Sequence, residues 1–499
     1  MKALKTIPFF PFLLVAFFIL HGTVENFELV YLNEILNIGF TILLTVAVFY
    51  LIIKLIVKNA VYAALICFFI STWMLFFGAI TDGVKSIHFL YWLHSYSVFV
   101  PFMFCTCILF ILFIRKKINL QNKLCFYLNL LLLIYCAFDL SGLILKSVQK
   151  NDKPVGGEIN FDTSMVKAKP NVYFLLFDEY PGYKSLKDSF AFSNDSLYQF
   201  LGRKEFKLLP TFSNYNMTTY SMASMLNLHY IDKPYQPLAN TLEDEVLRLI
   251  EIKNAPVVRY FKSIGYTFTN YSIFNILDRP SVKESPFFIG QAAQLTNKTF
   301  FIKILKDLGW HFISGRYKIG FIEYLAMEED RNNKFIERRL REVNPQSTSS
   351  PQFIYAHFNM PHSPIFCDSL GNYLPALQIF DKKSYTSKQT FLSYLKFANK
   401  KIEQVVDTLC KNDPNSIFIV MSDHGYRGYN NNSSLTEPFV FDNICAVRFP
   451  DKNYLPLKEK WSNVNFFRYL FNCEFNQKIP YLRDSSIFLR DKQTVNETD

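Results

Sequence analysis

The sequence predicts an α/β fold with a central mixed sheet flanked by helices, preceded by an N-terminal five-helix transmembrane domain. Three observations predict it. Apolar stretches fill the first 146 residues, at about 7–21, 34–53, 60–80, 88–114 and 123–146. Downstream, two short apolar runs, Pro170–Phe177 and Ser416–Met421, end abruptly in polar residues, as inner strands of a covered sheet do. Between them, helical patterns at 241–252 and 386–410 alternate with a strand pattern at 267–271, which implies a parallel or mixed sheet wrapped by helices.

Each of the last four apolar stretches reaches about 20 residues, enough to cross a hydrocarbon core. The first is shorter. It contains Pro8 and Pro11 and lacks a small-residue cleavage site before Glu25, so it reads as a retained span. Lys2 and Lys5, Lys54 and Lys58, then Arg115, Lys116, Lys117 and Lys123 fall on alternate sides of the spans, which assigns those sides to the cytoplasm. Glu25, Glu28, Glu34 and Asp82 mark the outer loops. Lys146, Lys150 and Lys153 run against the rule but can face anionic headgroups. An odd number of spans exports the C-terminal part of the chain. The expected division is a transmembrane domain over 1–148, a polar linker over 149–169, and an extracytoplasmic domain over 170–499.

The net charge of +11 could indicate nucleic acid, but no nucleic-acid motif is present. Anionic lipid or glycan phosphate is the better partner class for an exported domain. Cys67, Cys105, Cys107, Cys125 and Cys136 lie in the spans. Cys367, Cys410, Cys445 and Cys473 lie outside them, at spacings that give neither a disulfide pairing nor a metal motif.

The chemistry-bearing residues sit where strands end. Met421 leads into Ser422-Asp423-His424-Gly425 with Arg427 beyond, and Phe177 leads into Asp178-Glu179. Carboxylate oxygen and imidazole together suit a divalent cation, so Asp178, Glu179, Asp423 and His424 are candidate ligands; Asp178 or Glu179 could instead cap a turn. Thr218 and Thr219 open a small-residue helical stretch ending at Asn227. A hydroxyl there is either an N-cap or a metal-activated nucleophile. A third strand, Gln352–Phe358, carries His357 and runs to Pro361-His362-Ser363-Pro364. His362 is the better candidate for meeting a substrate's charge, and His357 is as readily a satisfied strand-end histidine. The Asn-rich 429–434 stretch reads as a loop bordering the substrate.

This ordered set, Asp178-Glu179, Thr218-x-x-Ser221 with Ala-Ser-x-Leu-Asn227, His362-x-Pro364 and Ser422–Gly425, resembles the alkaline-phosphatase/sulfatase superfamily over roughly residues 168–490. It is most similar to the membrane-anchored branch containing lipoteichoic acid synthases and lipid A phosphoethanolamine transferases. The resemblance implies a sulfatase-like sheet and a bacterial plasma-membrane location. It also implies one divalent ion (Mn, Zn or Mg) on Asp178 or Glu179, Asp423 and His424, with Thr218 as ligand and nucleophile and His357, His362 and Arg427 toward the substrate. The implied reaction moves a phospho-headgroup, phosphoethanolamine or phosphoglycerol, from a membrane phospholipid donor to an envelope glycan or lipid acceptor. Sulfatases of this superfamily convert Cys or Ser in a Cys/Ser-x-Pro-x-Arg motif to an aldehyde; here the position reads Thr218-Thr-Tyr-Ser-Met222, which yields none. A membrane-bound hydrolase of sulfate or phosphate esters is the alternative, and an inactive scaffold a second.

Overall fold

The computed structural model describes residues 6–149, 159–231, 239–240, 242–282, 293–304, 327–343, 349–379, 384, 386–428, 437–456 and 460–491. The chain forms two compact units, Met1–Asn151 with Ser285–Phe312, and Asp152–Glu284 with Ile313–Asp499. Part of the linker, at 150–158, and the Asn-rich stretch at 429–434 lie outside the described residues.

The first unit contains helices α1 (Phe10–Glu25), α2 (Leu32–Val57), α3 (Ala60–Ser86), α4 (Tyr96–Ile114) and α5 (Ile118–Gln149). The last four are long and apolar enough to cross a membrane, while α1 has 16 residues. The stretch expected at 88–114 is divided. His88–His94 forms a 3₁₀ helix and α4 begins only at Tyr96, continuing past Pro101. Side chains on α2 such as Leu55, at 77% exposure, face outward, as a lipid-facing surface requires. A segment from far along the chain completes this unit. Lys298 O accepts from Gly78 N–H at 2.6 Å, Lys298 Nζ lies 3.2 Å from Asp82 Oδ2, and the Phe300 ring meets Phe77 edge-on at 5.0 Å. Composition gives no reason to set this segment apart from its neighbours.

The second unit is built on a six-stranded sheet of β1 (Val172–Phe177), β2 (Lys207–Leu208), β3 (Thr267–Tyr271), β4 (Gln352–Phe358), β5 (Ile417–Met421) and β6 (Cys445–Arg448), in the order β2-β6-β5-β1-β4-β3. The four strands β5, β1, β4 and β3 are parallel, while β6 pairs antiparallel with β5, and β2 antiparallel with β6, at one edge. Both faces are covered, which is why the inner strands are continuously apolar. Phe174, Leu176 and Ile419 pack into one core with α8 (Thr218–Asn227), α10 (Pro256–Ser263) and α13 (Phe466–Glu474). Tyr173, Leu175, Phe177 and Val420 pack into the other with α7 (Asp195–Arg203), α11 (Glu328–Arg341) and α12 (Lys388–Asn412). Helices α6 (Tyr183–Asp188) and α9 (Leu242–Lys253) complete the numbered set. The parallel register aligns the carboxyl ends of β1, β4 and β5, with Leu176 opposite both His357 and Met421. Ligands in open α/β sheets collect at that edge.

Candidate active site

Asp178, Asp423 and His424 come together at this edge, all buried, with one ligand atom from each within 4.8 Å of the others. Local hydrogen bonds dictate which atoms converge. The His424 Nδ1–H donates to Gly425 O at 2.8 Å, so Nε2 carries the lone pair. Asp423 Oδ1 accepts from Glu179 N–H at 3.1 Å. Its Oδ2 makes no hydrogen bond among the described residues and lies 3.2 Å from His424 Nε2. Gly425 is obligatory, because a Cβ there would sit 2.5 Å from Asp442 O and 2.6 Å from Phe439 O.

Thr218 supplies the fourth atom. It is the first residue of α8, and Met217 before it makes no side-chain cap, so the Thr218 hydroxyl is not spent on capping. Its Oγ1 lies 3.2 Å from His424 Nε2 and 3.5 Å from Asp178 Oδ1. The Ser221 hydroxyl, one turn on, donates to Asp423 O at 2.6 Å and fixes the helix start against the end of β5. Between Thr218 and Thr219, it is the Thr218 hydroxyl that meets the imidazole and carboxylate.

Four electron-pair donors thus face one another with only the threonine proton between them. Ligands about 2.0–2.2 Å from a tetrahedral ion stand roughly 3.3–3.6 Å apart. The separations here, 3.2, 3.2 and 3.5 Å, with 4.0 Å between His424 Nε2 and Asp178 Oδ1, fit a single divalent cation. Oxygen with one imidazole suits zinc or manganese.

Glu179 goes elsewhere. Its φ of +62° places it in the left-handed region, so the chain turns sharply after Asp178 and the two neighbouring carboxylates part company. The Glu179 carboxylate accepts from Arg427 N–H at 2.5 Å and lies 3.8 Å from Arg427 Nε and 3.6 Å from His362 Nε2. One Arg427 Nη donates to His362 Nε2 at 2.7 Å, while the His362 Nδ1–H donates to Ser363 O. This second corner joins a carboxylate, a guanidinium and an imidazole. The arginine and histidine side chains remain partly exposed, at 30% and 22%, where a substrate can reach them.

His357 is fully buried, with Nε2 3.3 Å from Asp178 Oδ2 and Nδ1 2.9 Å from the Tyr355 hydroxyl. It therefore lies behind the Asp178 carboxylate rather than toward solvent. Burial opposes ionisation of Asp178, but the charge of His362, His357 and His424, protonated at the acid pH where a carboxyl titrates, together with the His357 hydrogen bond, prevails and holds its carboxyl well below the usual carboxylate range. Sequence reasoning misses the Tyr355–His357 link. Residues two apart on a strand share a face, and that spacing is the one signal that could find it.

A model of the sulfatase family matches residues 206–463. That range includes Thr218, His357, His362, Asp423 and His424 and starts after Asp178. Among solved structures, the chain is similar to the C-terminal periplasmic domain of EcEptC from Escherichia coli, at 11% identity over 63% of this chain and 85% of that one, with a TM-score of 0.36. It is similar to phosphonate monoester hydrolase from Silicibacter pomeroyi, at 12% identity over 64% and 76%, TM-score 0.36. It is also similar to a Bacteroides thetaiotaomicron protein of a glycosaminoglycan-metabolism locus, at 15% identity over 61% and 72%, TM-score 0.38. No curated protein matches the chain.

Proposed function

The chain belongs to the sulfatase family, and from that premise we propose that it is a membrane-anchored, metal-dependent transferase. In this reading it moves a phospho-headgroup, phosphoethanolamine or phosphoglycerol, from a membrane phospholipid to a glycan or lipid of the cell envelope. At the coarser level the family and the apolar helices give an anchored enzyme acting on sulfate or phosphate esters. The observation that carries the finer reading is the Thr218 hydroxyl, set on the lone pairs of His424 and Asp178 at the start of α8.

Asp178 Oδ1, Asp423 Oδ2, His424 Nε2 and Thr218 Oγ1 would hold the cation. When bound, it would supply the positive charge that lowers the hydroxyl's pKa and offsets that of the phosphoryl oxygens. Thr218 Oγ1 attacks phosphorus and loses its proton. The bond from phosphorus to the diacylglycerol oxygen breaks, and that alkoxide leaves as the alcohol, taking up through solvent the proton that Thr218 gives up. A phosphodiester on Thr218 remains. An acceptor hydroxyl then attacks the same phosphorus, and Thr218 Oγ1 departs and is reprotonated. Arg427, oriented by its contact with His362, meets the phosphoryl oxygens as charge builds on them. The amides at the start of α8 favour the same anionic centre.

Threonine, unlike cysteine or serine, yields no aldehyde on oxidation. The residue at position 218 therefore weighs against sulfate-ester hydrolysis within the family and toward phosphoryl chemistry. A plasma-membrane location with the catalytic unit outside, and five spans rather than four, belong to the same proposal. The test uses full-length protein in vesicles containing a phospholipid labelled in both glycerol backbone and headgroup. The reading expects labelled diacylglycerol in step with headgroup transferred to protein or acceptor. Release of free phosphate or phospho-headgroup with water as the sole acceptor would make the protein a hydrolase instead.

A further inference from the structure

We infer that His357 is a positioning residue: with Tyr355 it caps the rear oxygen of Asp178, so that this carboxylate presents one oxygen forward and the site holds a single ion. The inference rests on the metal-binding half of the reading above and is independent of which ester is cleaved.

Sheet register makes the contact. Phe177 pairs with Phe358 across β1 and β4, and Asp178 N–H donates to Phe358 O at 3.0 Å, so the residue before Phe358 stands beside the carboxylate leaving β1. Hydrogen-bond directions are set by the donors and acceptors each group can offer. An ionised carboxylate only accepts, so His357 Nε2 carries the proton toward Asp178 Oδ2 at 3.3 Å. A neutral imidazole has one N–H, which leaves Nδ1 as acceptor, and the Tyr355 hydroxyl must donate to it at 2.9 Å. Burial, with Asp423 and Asp178 close by, pushes the Tyr355 hydroxyl further from ionisation, so the donor stays a donor. The Phe274 ring stands edge-on to the imidazole at 5.8 Å and limits its rotation. The chain Tyr355, His357, Asp178 Oδ2 therefore runs in one direction, with Asp178 Oδ1 left facing Thr218 and His424.

This arrangement bears on both affinity and stoichiometry. Outer partners of this kind orient a ligand and raise its affinity for metal. A carboxylate that bridges two ions through its two oxygens needs both free, and here the second is already occupied by an N–H, so Asp178 serves one ion.

The test uses full-length protein in detergent, stripped with chelator and titrated calorimetrically with Mn²⁺ alone and with Zn²⁺ alone. Wild type is expected to bind one ion. His357→Met, close in volume but without an N–H, is expected to bind about 10–100-fold more weakly. His357→Gln, which restores an amide N–H, should recover most of that loss, and Tyr355→Phe should weaken binding in the same direction by less. Thermal unfolding of the metal-free proteins shows whether each variant is folded; if His357→Met is not, Tyr355→Phe decides. Unchanged affinity in His357→Met or, where that fails to fold, in Tyr355→Phe would overturn the inference. So would a glutamine variant no better than methionine, two ions in the wild type, or a raised KM with metal affinity intact, which would mark His357 as a substrate contact. A hydrolase would give the same titrations as a transferase, so failure here is distinct from failure of the transfer reading.

Discussion

Asp178 and Glu179 are neighbours in sequence and alike in chemistry, yet they serve opposite corners of the site. Around Asp178 the converging atoms are lone pairs from two carboxylates, an imidazole and a hydroxyl, a set that calls for a cation. Around Glu179 the cation is already present as Arg427, leaning on His362 and partly exposed, a set that calls for an anion. A phosphate ester on a metal needs both at once. The difference teaches that charge type alone does not assign a role; backbone direction does. A single left-handed residue, Glu179 at φ +62°, divides the two corners.

The largest expected effect lies where the corners meet. Thr218→Ala should cost roughly 10⁴-fold or more in turnover, as loss of a nucleophile does, with Thr218→Ser retaining part of it and Thr219→Ala nearly all. Steady-state rates in vesicles check this, and equal losses at 218 and 219 would break the assignment.

Next comes the metal corner. Asp423→Asn or His424→Ala should abolish stoichiometric metal, measured by elemental analysis of the purified protein. In the wild type a chelator should remove stabilisation of about 2.7 kcal/mol if metal had been present at 100 times its dissociation constant. The same chelator should leave the melting of Asp423→Asn unchanged.

The anion corner should respond differently. Arg427→Gln is expected to lower the rate about 10²-fold while metal content stays intact, and Glu179→Gln should cost less, roughly 10-fold, by releasing Arg427. Loss of metal in Glu179→Gln would erase the distinction between the corners and return Glu179 to the ligand set.

The smallest effect is on pH. In metal-free protein the Asp178 carboxyl is held below its ordinary value, so the folded state binds fewer protons there than the unfolded chain. Its contribution to stability is present above the unfolded pKa, about 4, and is lost as pH falls below it. Denaturant titrations between about pH 5 and pH 3 should show a flatter dependence in Asp178→Asn than in wild type.

Much of this is legible in the sequence because the inner strands declare themselves. Asn171–Phe177, Gln352–Phe358 and Ile417–Met421 are apolar on both faces, and residues just past such strands land at the sheet's carboxyl edge. Asp178, Asp423 and His424 can thus be placed from chain position, and Thr218 from its helix start. Glu179 cannot. Nothing in its side chain reports the left-handed turn that sends it to Arg427, and in sequence it is as good a ligand as Asp178. His357 escapes for another reason, since its partner is set by the register between β1 and β4, a tertiary fact. The membrane unit shows the same limit. Composition marks residues 88–114 as one apolar stretch, but the 3₁₀ turn at His88–His94 depends on packing, as does the return of residues 293–304 to that unit.

The most direct test of the central claim, that Thr218 is the nucleophile of a one-metal site, is peptide mass spectrometry on full-length protein from its native membrane, with His362 replaced to slow turnover. The account predicts a phospho-headgroup on Thr218, with mass matching phosphoethanolamine or phosphoglycerol, which disappears from metal-stripped protein re-exposed to phospholipid. An adduct on Thr219, or unmodified threonines in protein that still consumes its donor, would contradict it.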